Sequence, residues 1–353
     1  MGLSFTGRAR RGLYVAAFDG CFWYDCIMKD LQQLCIIGPT ASGKSSLGLA
    51  YAHQHRGIIL SLDSLALYQE IDIASAKPTL EERGMIPHFG IDVIAPDVPF
   101  DVTQFTALYH LARTASLATG SPLIIVGGTG FYLKMLLEGI SPLPPLSPDA
   151  KQRVAESMND LTSAYRYLRS IDPDYAQALE SSDRYRIEKA LEIFFGTGMP
   201  PTEYFRAYPP QPVIADPLPI YEITVERPVL RQRIVRRTDG MITAGLIDEV
   251  CGLERRYTRA PNAMKAIGIK EVLEYLDGYC AREEMREKII TNTARLAKRQ
   301  VTFNRSQFHI TRQGTLEELE RELGIRSELD GKLSNSGGRA SALHNGTEVP
   351  APD

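Results

Sequence analysis

Residues 36–46 read IIGPTASGKSS, and Gly38, Gly43, Lys44 and Ser45 stand at the spacing GxxxxGK[ST] directly after an apolar run. These residue types at this spacing grip a chain of phosphates. Glycines let the backbone close around oxygens so that successive N–H groups point inward, and a helix opening near Lys44 turns its positive end toward the anion. Lys44 can bridge terminal phosphates, and the Ser45 hydroxyl can ligate Mg²⁺. The whole loop, Gly38, Pro39, Thr40, Ala41, Ser42, Gly43, Lys44 and Ser45, is therefore the candidate phosphate cradle. The loop does not say which phosphate compound it holds.

The elements around it must present it correctly. LCII reads as a short buried strand, and SSLGLAYAHQH sets Leu47, Ala50 and Tyr51 at helical spacing. A second strand, GIILSLD, ends at Asp63 and Ser64, and a third, within SPLIIVGGTG, ends at Gly127 to Gly130. Strands alternating with helices predict a parallel sheet with its ligand crevice outside the carboxyl ends of the strands, where Gly38, Asp63 and Thr129 meet. The expected fold class is α/β, a P-loop-containing parallel-sheet core with a helical insertion domain.

Composition breaks the chain into segments. The Pro-rich stretch SPLPPLSP, residues 141–148, reads as a linker, and helical periodicity follows it, so 141–212 is expected to be the insertion. There RYRIEKALEIFF puts Ile187, Ala190, Leu191, Phe194 and Phe195 on one face behind Asp183 as N-cap. The chain returns through the strand LPIYEITV and closes with the helices RPVLRQRIVRRT, where Arg233 and Arg237 lie one turn apart, and EMREKIITNTARLAKRQVTF, where Arg295, Lys298 and Thr302 line a face. The core is thus expected over 34–140 and 213–325. Residues 1–33 read as a disordered extension or a non-native start ahead of Met28, and the polar, Gly/Ser-rich residues 326–353 as a disordered tail.

A chain of 353 residues is long enough for two domains. Its net charge of −3 hides segregation, because residues 227–312 hold 18 Lys/Arg against 10 Asp/Glu, as an RNA or polyphosphate site would need. Five scattered cysteines, Cys21, Cys26, Cys35, Cys251 and Cys280, argue against a disulfide framework and for a reducing cytoplasm. Cys21 and Cys26 lack further ligands nearby and do not read as a zinc site. No run is long enough to span a membrane, and Asp19 interrupts the brief apolar stretch that a signal peptide would need.

Most P-loop proteins transfer or hydrolyse a nucleotide γ-phosphoryl group, with an acidic strand end helping to hold Mg²⁺. Here LIIVGGTG ends in glycines and threonine, while Asp63 supplies the acid, so a kinase of a nucleoside or small metabolite is one reading. A nucleic-acid-binding P-loop protein without catalysis is another.

A third reading comes from a resemblance. GPTASGKSS, LDSLALYQEIDIASAKP, PHFGID, VGGTGFYLKMLLEGISPLP, DRYRIEKALEIF, RIVRRTDGMITAGLIDEV, AMKAIGIKE and AKRQVTFNR occur in the order seen in tRNA dimethylallyltransferases, over roughly residues 34–310. The chain resembles the bacterial form, since no cysteine follows Cys280 to build the zinc finger of eukaryotic relatives. The resemblance implies that the P-loop holds dimethylallyl diphosphate with Mg²⁺, and that the dimethylallyl group passes to N6 of adenosine 37 beside the anticodon. It implies Asp63 as base, Thr129 as a hydrogen-bonding partner of the diphosphate near the breaking bond, and Arg237 and Lys44 as its counter-charges.

The same resemblance implies a grip on the tRNA anticodon stem-loop. Its contacts would come from Asp63, Ser64, Leu65 and Ala66, from Lys151, Tyr185, Arg186, Ile187, Glu188 and Lys189, from Lys265, Gly268 and Lys270, and from Lys298, Arg299, Gln300 and Arg305. A monomeric, cytoplasmic enzyme is expected. Lys151 and Lys189 stand where arginine is common in the family, Ile269 where tyrosine is frequent, and IASAKP replaces IGTAKP. Lysine keeps the charge at the first two but loses the bidentate fork.

Overall fold

Four of the runs read as strands and two short edge segments form six strands, described together with the rest of residues 32–325 in a computed structural model. They are β1 (Gln33–Ile37), β2 (Ile58–Ser61), β3 (His88–Phe89), β4 (Leu123–Gly127), β5 (Ile220–Ile223) and β6 (Arg312–Gly314). All pair in parallel, in the order β3-β2-β4-β1-β5-β6. β1 and β4 are buried at every position, as expected of central parallel strands covered on both faces. Residues 1–31 of the extension read from the sequence, with Cys21 and Cys26, and the whole tail lie outside the described residues, while Gln33, read as the extension's last residue, opens β1.

Alternation along the strands divides the core. Leu34, Ile36, Ile124 and Val126 point to the face covered by α1 (Lys44–His55) and by α14 (Leu316–Glu322). Cys35, Ile37, Leu123 and Ile125 point to the other, against Phe105 and Tyr109 of α3 (Val102–Thr119) and Leu133 and Leu136 of α4 (Gly130–Glu138). α3 starts where Asp101 accepts from the N–H groups of Thr103 and Gln104 and Gln104 reaches back to Asp101. Between β2 and β3 the short α2 (Leu80–Arg83) is capped the same way by Thr79.

After α4 the chain leaves the sheet for α5 (Pro148–Ser157), α6 (Leu161–Ile171), α7 (Pro173–Gln177), α8 (Arg184–Thr197) and α9 (Pro201–Ala207). These helices bury their own core, built on Val154, Leu168, Ile187, Ala190 and Leu191. Asp183 caps α8 as the sequence suggests. The buried face differs in one respect: Ile193 is enclosed, while Phe194 and Phe195 are half-buried, with Phe195 stacked on Tyr167 and under Arg153. Asp172 joins α7 to α9, accepting from Tyr175 N, Thr202 N and the Thr202 hydroxyl at 2.9, 2.7 and 3.0 Å.

β5 returns the chain to the sheet, and four helices close the mouth: α10 (Arg227–Thr243), α11 (Leu246–Tyr257), α12 (Ile269–Leu276) and α13 (Arg282–Gln307). α11 and α12 bury a separate cluster with Ile71 and Ala74 from the long β2–α2 connection. β3 and β6 are additions to the sequence reading. Each is an edge strand of two or three residues, too short for an alternating pattern. No helix among the described residues is long and apolar enough to cross a membrane.

Candidate active site

The P-loop backbone takes its shape from left-handed turns. Gly43 precedes α1 at φ 100°, a conformation costly for any residue with a Cβ, and Ala41 accepts φ 63°. Arg233 donates to the Ser42 carbonyl at 3.1 Å, and the Gln300 Oε1 accepts from Thr40 N at 2.8 Å. The Gln300 Nε2 donates to the Gly128 carbonyl at 3.0 Å. One side chain of α13 thus ties the cradle to the end of β4.

Strand ends supply the next two groups. The carboxylate of Asp63, just beyond β2, accepts from Leu65 N at 2.9 Å and Ala66 N at 3.3 Å through Oδ1 alone. Its Oδ2 has no hydrogen-bond partner among the described residues. Thr129, just beyond β4, donates its N–H to the Leu62 carbonyl at 2.9 Å, and its Oγ1 accepts from Ser64 N at 3.2 Å. The hydroxyl proton of Thr129 stays available to a ligand. These crossed bonds fix the two strand ends together, and Gly127 permits it: a Cβ there would sit 2.6 Å from the Leu62 carbonyl carbon.

Two cations complete the set. Lys44 reaches the Pro39 carbonyl at 3.3 Å, and Arg237 of α10 donates to the Ser75 carbonyl at 3.2 Å. Burial pulls the Lys44 ammonium down to about 8, the nearby Arg237 charge pulls the same way, and Asp63 partly opposes both. Arg237 is likewise lowered by burial and supported by Asp63. Two cations held close together, each half-buried, call for an anion between them.

Lys44, Asp63, Thr129 and Arg237 all line one cavity of about 440 Å³, with Thr40, Ser64, Leu65, Arg299, Gln300 and Phe303 among its walls. A larger cavity of about 830 Å³ lies on the other flank of α13, lined by Pro39, Arg227, Lys298 and Arg305, and holds none of the four. Volume alone would misplace the site; the convergence of polar groups locates it.

A family model described as IPP transferase matches residues 66–307. The chain belongs to that family. A protein of Sulfurovum sp. named tRNA dimethylallyltransferase is 57% identical over 293 residues, covering 83% of this chain and 97% of its own length. One of the same name from Wolinella succinogenes is 50% identical over 279 residues, covering 79% and 93%. The crystal structure of the full-length tRNA isopentenylpyrophosphate transferase of Bacillus halodurans is 31% identical with a TM-score of 0.60, covering 87% and 98%. A eukaryotic dimethylallyltransferase structure, 24% identical with a TM-score of 0.73 over 86% and 80% of the two chains, shares the fold.

In this IPP transferase the residues read as RNA contacts divide by exposure. Lys151, Tyr185, Arg186, Lys265, Lys270, Lys298, Arg299 and Arg305 are exposed. Ile187 is a correction: it is fully buried in the insertion's own core, because α8 turns that face inward. The Ala66 side chain and Gly268 are also buried, and the Gly268 N–H is taken by Glu271. Glu188 is half-buried, and Lys189 spends its charge on Glu192 at 2.8 Å beside the Tyr185 ring. Gln300 is engaged at both ends of its amide.

Sequence reading missed Ser75 and Arg233. Neither has a motif; each is defined by a backbone oxygen that comes near only when the sheet and α10 are assembled.

Proposed function

We propose that this chain is a tRNA dimethylallyltransferase. It moves the dimethylallyl group of dimethylallyl diphosphate to N6 of adenosine 37, beside the anticodon, and releases diphosphate. The observation that carries the reading is the meeting of Lys44, Asp63, Thr129 and Arg237 on one cavity, in a chain 57% identical to a protein of that name. No comparison points to a kinase.

The chemistry follows from these groups. The bond between the allylic carbon and the diphosphate oxygen breaks while the N6–carbon bond forms, so negative charge grows on the departing diphosphate. P-loop N–H groups, Lys44 and Arg237 neutralise it, and the Thr129 hydroxyl donates to the oxygen that leaves. The N6 lone pair is delocalised into the purine, so the free Oδ2 of Asp63 accepts the N6 proton as bonding begins. Oδ1, occupied by Leu65 N and Ala66 N, holds the carboxylate at that angle.

Mg²⁺ fits the donor set. The described residues contain no cluster of three or more His, Cys, Asp or Glu side chains able to hold a metal ion by themselves. Ser45 is exposed at the first turn of α1, and a hydroxyl with phosphate oxygens and water suits a cation that keeps its waters. Bound there, Mg²⁺ would supply further charge neutralisation at the diphosphate.

The adenine must leave the anticodon stack to enter the cavity. The exposed residues Lys151, Tyr185 and Arg186 of 141–212 and Lys265, Lys270, Lys298, Arg299 and Arg305 of the core support a grip on the stem-loop from two sides. All four reacting-site groups come from one chain, so one copy carries the whole set; a monomer is the reading proposed. The unpaired Cys35, Cys251 and Cys280 suit a reducing cytoplasm.

The test is to incubate the protein with unmodified tRNA, labelled dimethylallyl diphosphate and Mg²⁺. Label in the RNA is expected. Consumption of ATP without tRNA, and no label in RNA, would overturn the reading in favour of a kinase.

A further inference from the structure

Arg237 cannot hold its place by its own length. It is a flexible side chain facing another cation, and its recorded hydrogen bond is to the Ser75 carbonyl. That carbonyl therefore directs the guanidinium, beside the attraction of the nearby Asp63 charge. Ser75 lies in the β2–α2 connection, which has no regular structure over residues 69–78 apart from turns. Glu70 at φ 63° and Ala76 at φ 47° flank it in the left-handed region, which a residue with a Cβ adopts only under strain. Something outside the segment must hold it.

Glu249 of α11 does so. Its Oε2 accepts from Asp72 N at 2.9 Å and Ile73 N at 2.7 Å, and its Oε1 accepts from Ala74 N at 2.9 Å. Three successive N–H groups close on one carboxylate, from 175 or more residues away in sequence. Such charge-assisted bonds are about twice as strong as neutral ones. The turn also has bonds of its own, since the Ser75 hydroxyl donates to the Ile71 carbonyl at 2.5 Å and the Asp72 carbonyl at 3.2 Å and accepts from Lys77 N at 3.3 Å; these shape it, and Glu249 ties it to α11. Glu70 pairs with Arg256 and Tyr257 at the outer end, and Lys77 ties the segment to itself and to Asp92.

We propose that Glu249 is a positioning residue for Arg237: by clamping Asp72–Ala74 it fixes the Ser75 carbonyl, and with it the guanidinium that meets the diphosphate. The contacts form a closed ring. Arg237 sits on α10, the chain turns at Gly245 into α11, Glu249 grips the segment, and Ser75 returns to Arg237. The inference rests on the reading of this cavity as a diphosphate site.

Glu249→Gln keeps one acceptor and turns an amide NH₂ against a backbone N–H, so the clamp opens without losing volume. The expected result is a rise of about tenfold in KM for dimethylallyl diphosphate, with tRNA affinity changed less than twofold. A double-mutant cycle separates positioning from plain stability. In an Arg237→Ala background Glu249→Gln should add less than twofold, whereas in a Thr129→Ala background it should cost its full factor. Where Glu249→Gln fails to fold, Glu249→Asp replaces it, keeping the charge one methylene shorter, with a smaller rise expected.

Binding of inorganic diphosphate, measured by calorimetry, separates the two levels of the argument. Wild-type protein that binds no diphosphate would sink the site reading and this inference with it. Wild-type protein that binds, beside a Glu249→Gln variant that binds equally well, would overturn the inference alone. So would a full, additive loss in the Arg237→Ala background.

Discussion

Raising the pH should disarm the phosphate cradle through Lys44. Its ammonium is pulled down to about 8, first by burial and then by Arg237, with Asp63 partly restoring it. The sign follows from which form binds the anion. Below pH 8 the side chain is a cation and can bridge phosphates; above it the neutral amine offers no charge. At saturating tRNA, the ratio kcat/KM for dimethylallyl diphosphate reports ionisations of the form that meets it, the tRNA-bound enzyme. It should therefore be flat near pH 7 and fall by about tenfold per pH unit above 8, reaching roughly a tenth of its plateau at pH 9. The assay is the initial rate of label transfer at saturating tRNA, across pH 6.5 to about 9.5. Substituting Arg237→Gln removes the second cause of the lowering and should move the inflection to higher pH. A profile flat to pH 9.5, or an inflection unmoved by Arg237→Gln, would refute the reasoning.

Three further outcomes are expected. Asp63→Asn keeps an Oδ1 acceptor for Leu65 N and Ala66 N, so calorimetry should find diphosphate binding intact while turnover falls by about 10²–10⁴-fold; parallel losses would contradict a base. Gly127→Ala drives a Cβ to within 2.6 Å of Leu62 backbone, and chemical denaturation should register a loss of about 1–3 kcal/mol. Asp172→Ala strands the Tyr175 and Thr202 donors and should cost about 2–3 kcal/mol. Burial pushes the Asp172 carboxyl up, but bonds from Thr202 and Tyr175 outweigh it and hold it below the ordinary range. The stability it contributes should be complete above about pH 4 and lost as the pH falls further.

The core of the fold was legible because its physics is local. β1, β2 and β4 are mostly apolar runs, β5 is one interrupted by Glu222, and Asp183 before RYRIEKALEIFF is a cap followed by a helical face. β3 and β6 escaped because two or three residues on a sheet edge have no period to read. In the site, Gly38 to Ser45 announces itself by spacing, and Asp63 and Thr129 by their place at strand ends. The family resemblance supplied Arg237 and the proposed RNA contacts, and among these the Ile187 side chain is buried, which depends on how α8 packs against α5 and α6. What no pattern offered were the tertiary bonds from Gln300, Arg233 and Glu249 to backbone atoms. Their partners lie 172 to 260 residues away, and a backbone N–H or carbonyl leaves no mark in sequence.

The central claim is that the diphosphate bound here is a leaving group and adenosine the nucleophile. The most direct measurement is a single-turnover reaction of the protein with labelled dimethylallyl diphosphate, Mg²⁺ and unmodified tRNA, followed by digestion to nucleosides and mass analysis. One dimethylallyl group on N6 of the adenosine beside the anticodon, one diphosphate released per transfer, and transfer about 10²–10⁴-fold slower in Asp63→Asn are expected. Label on another atom or nucleoside, or diphosphate released equally fast without tRNA, would contradict the claim.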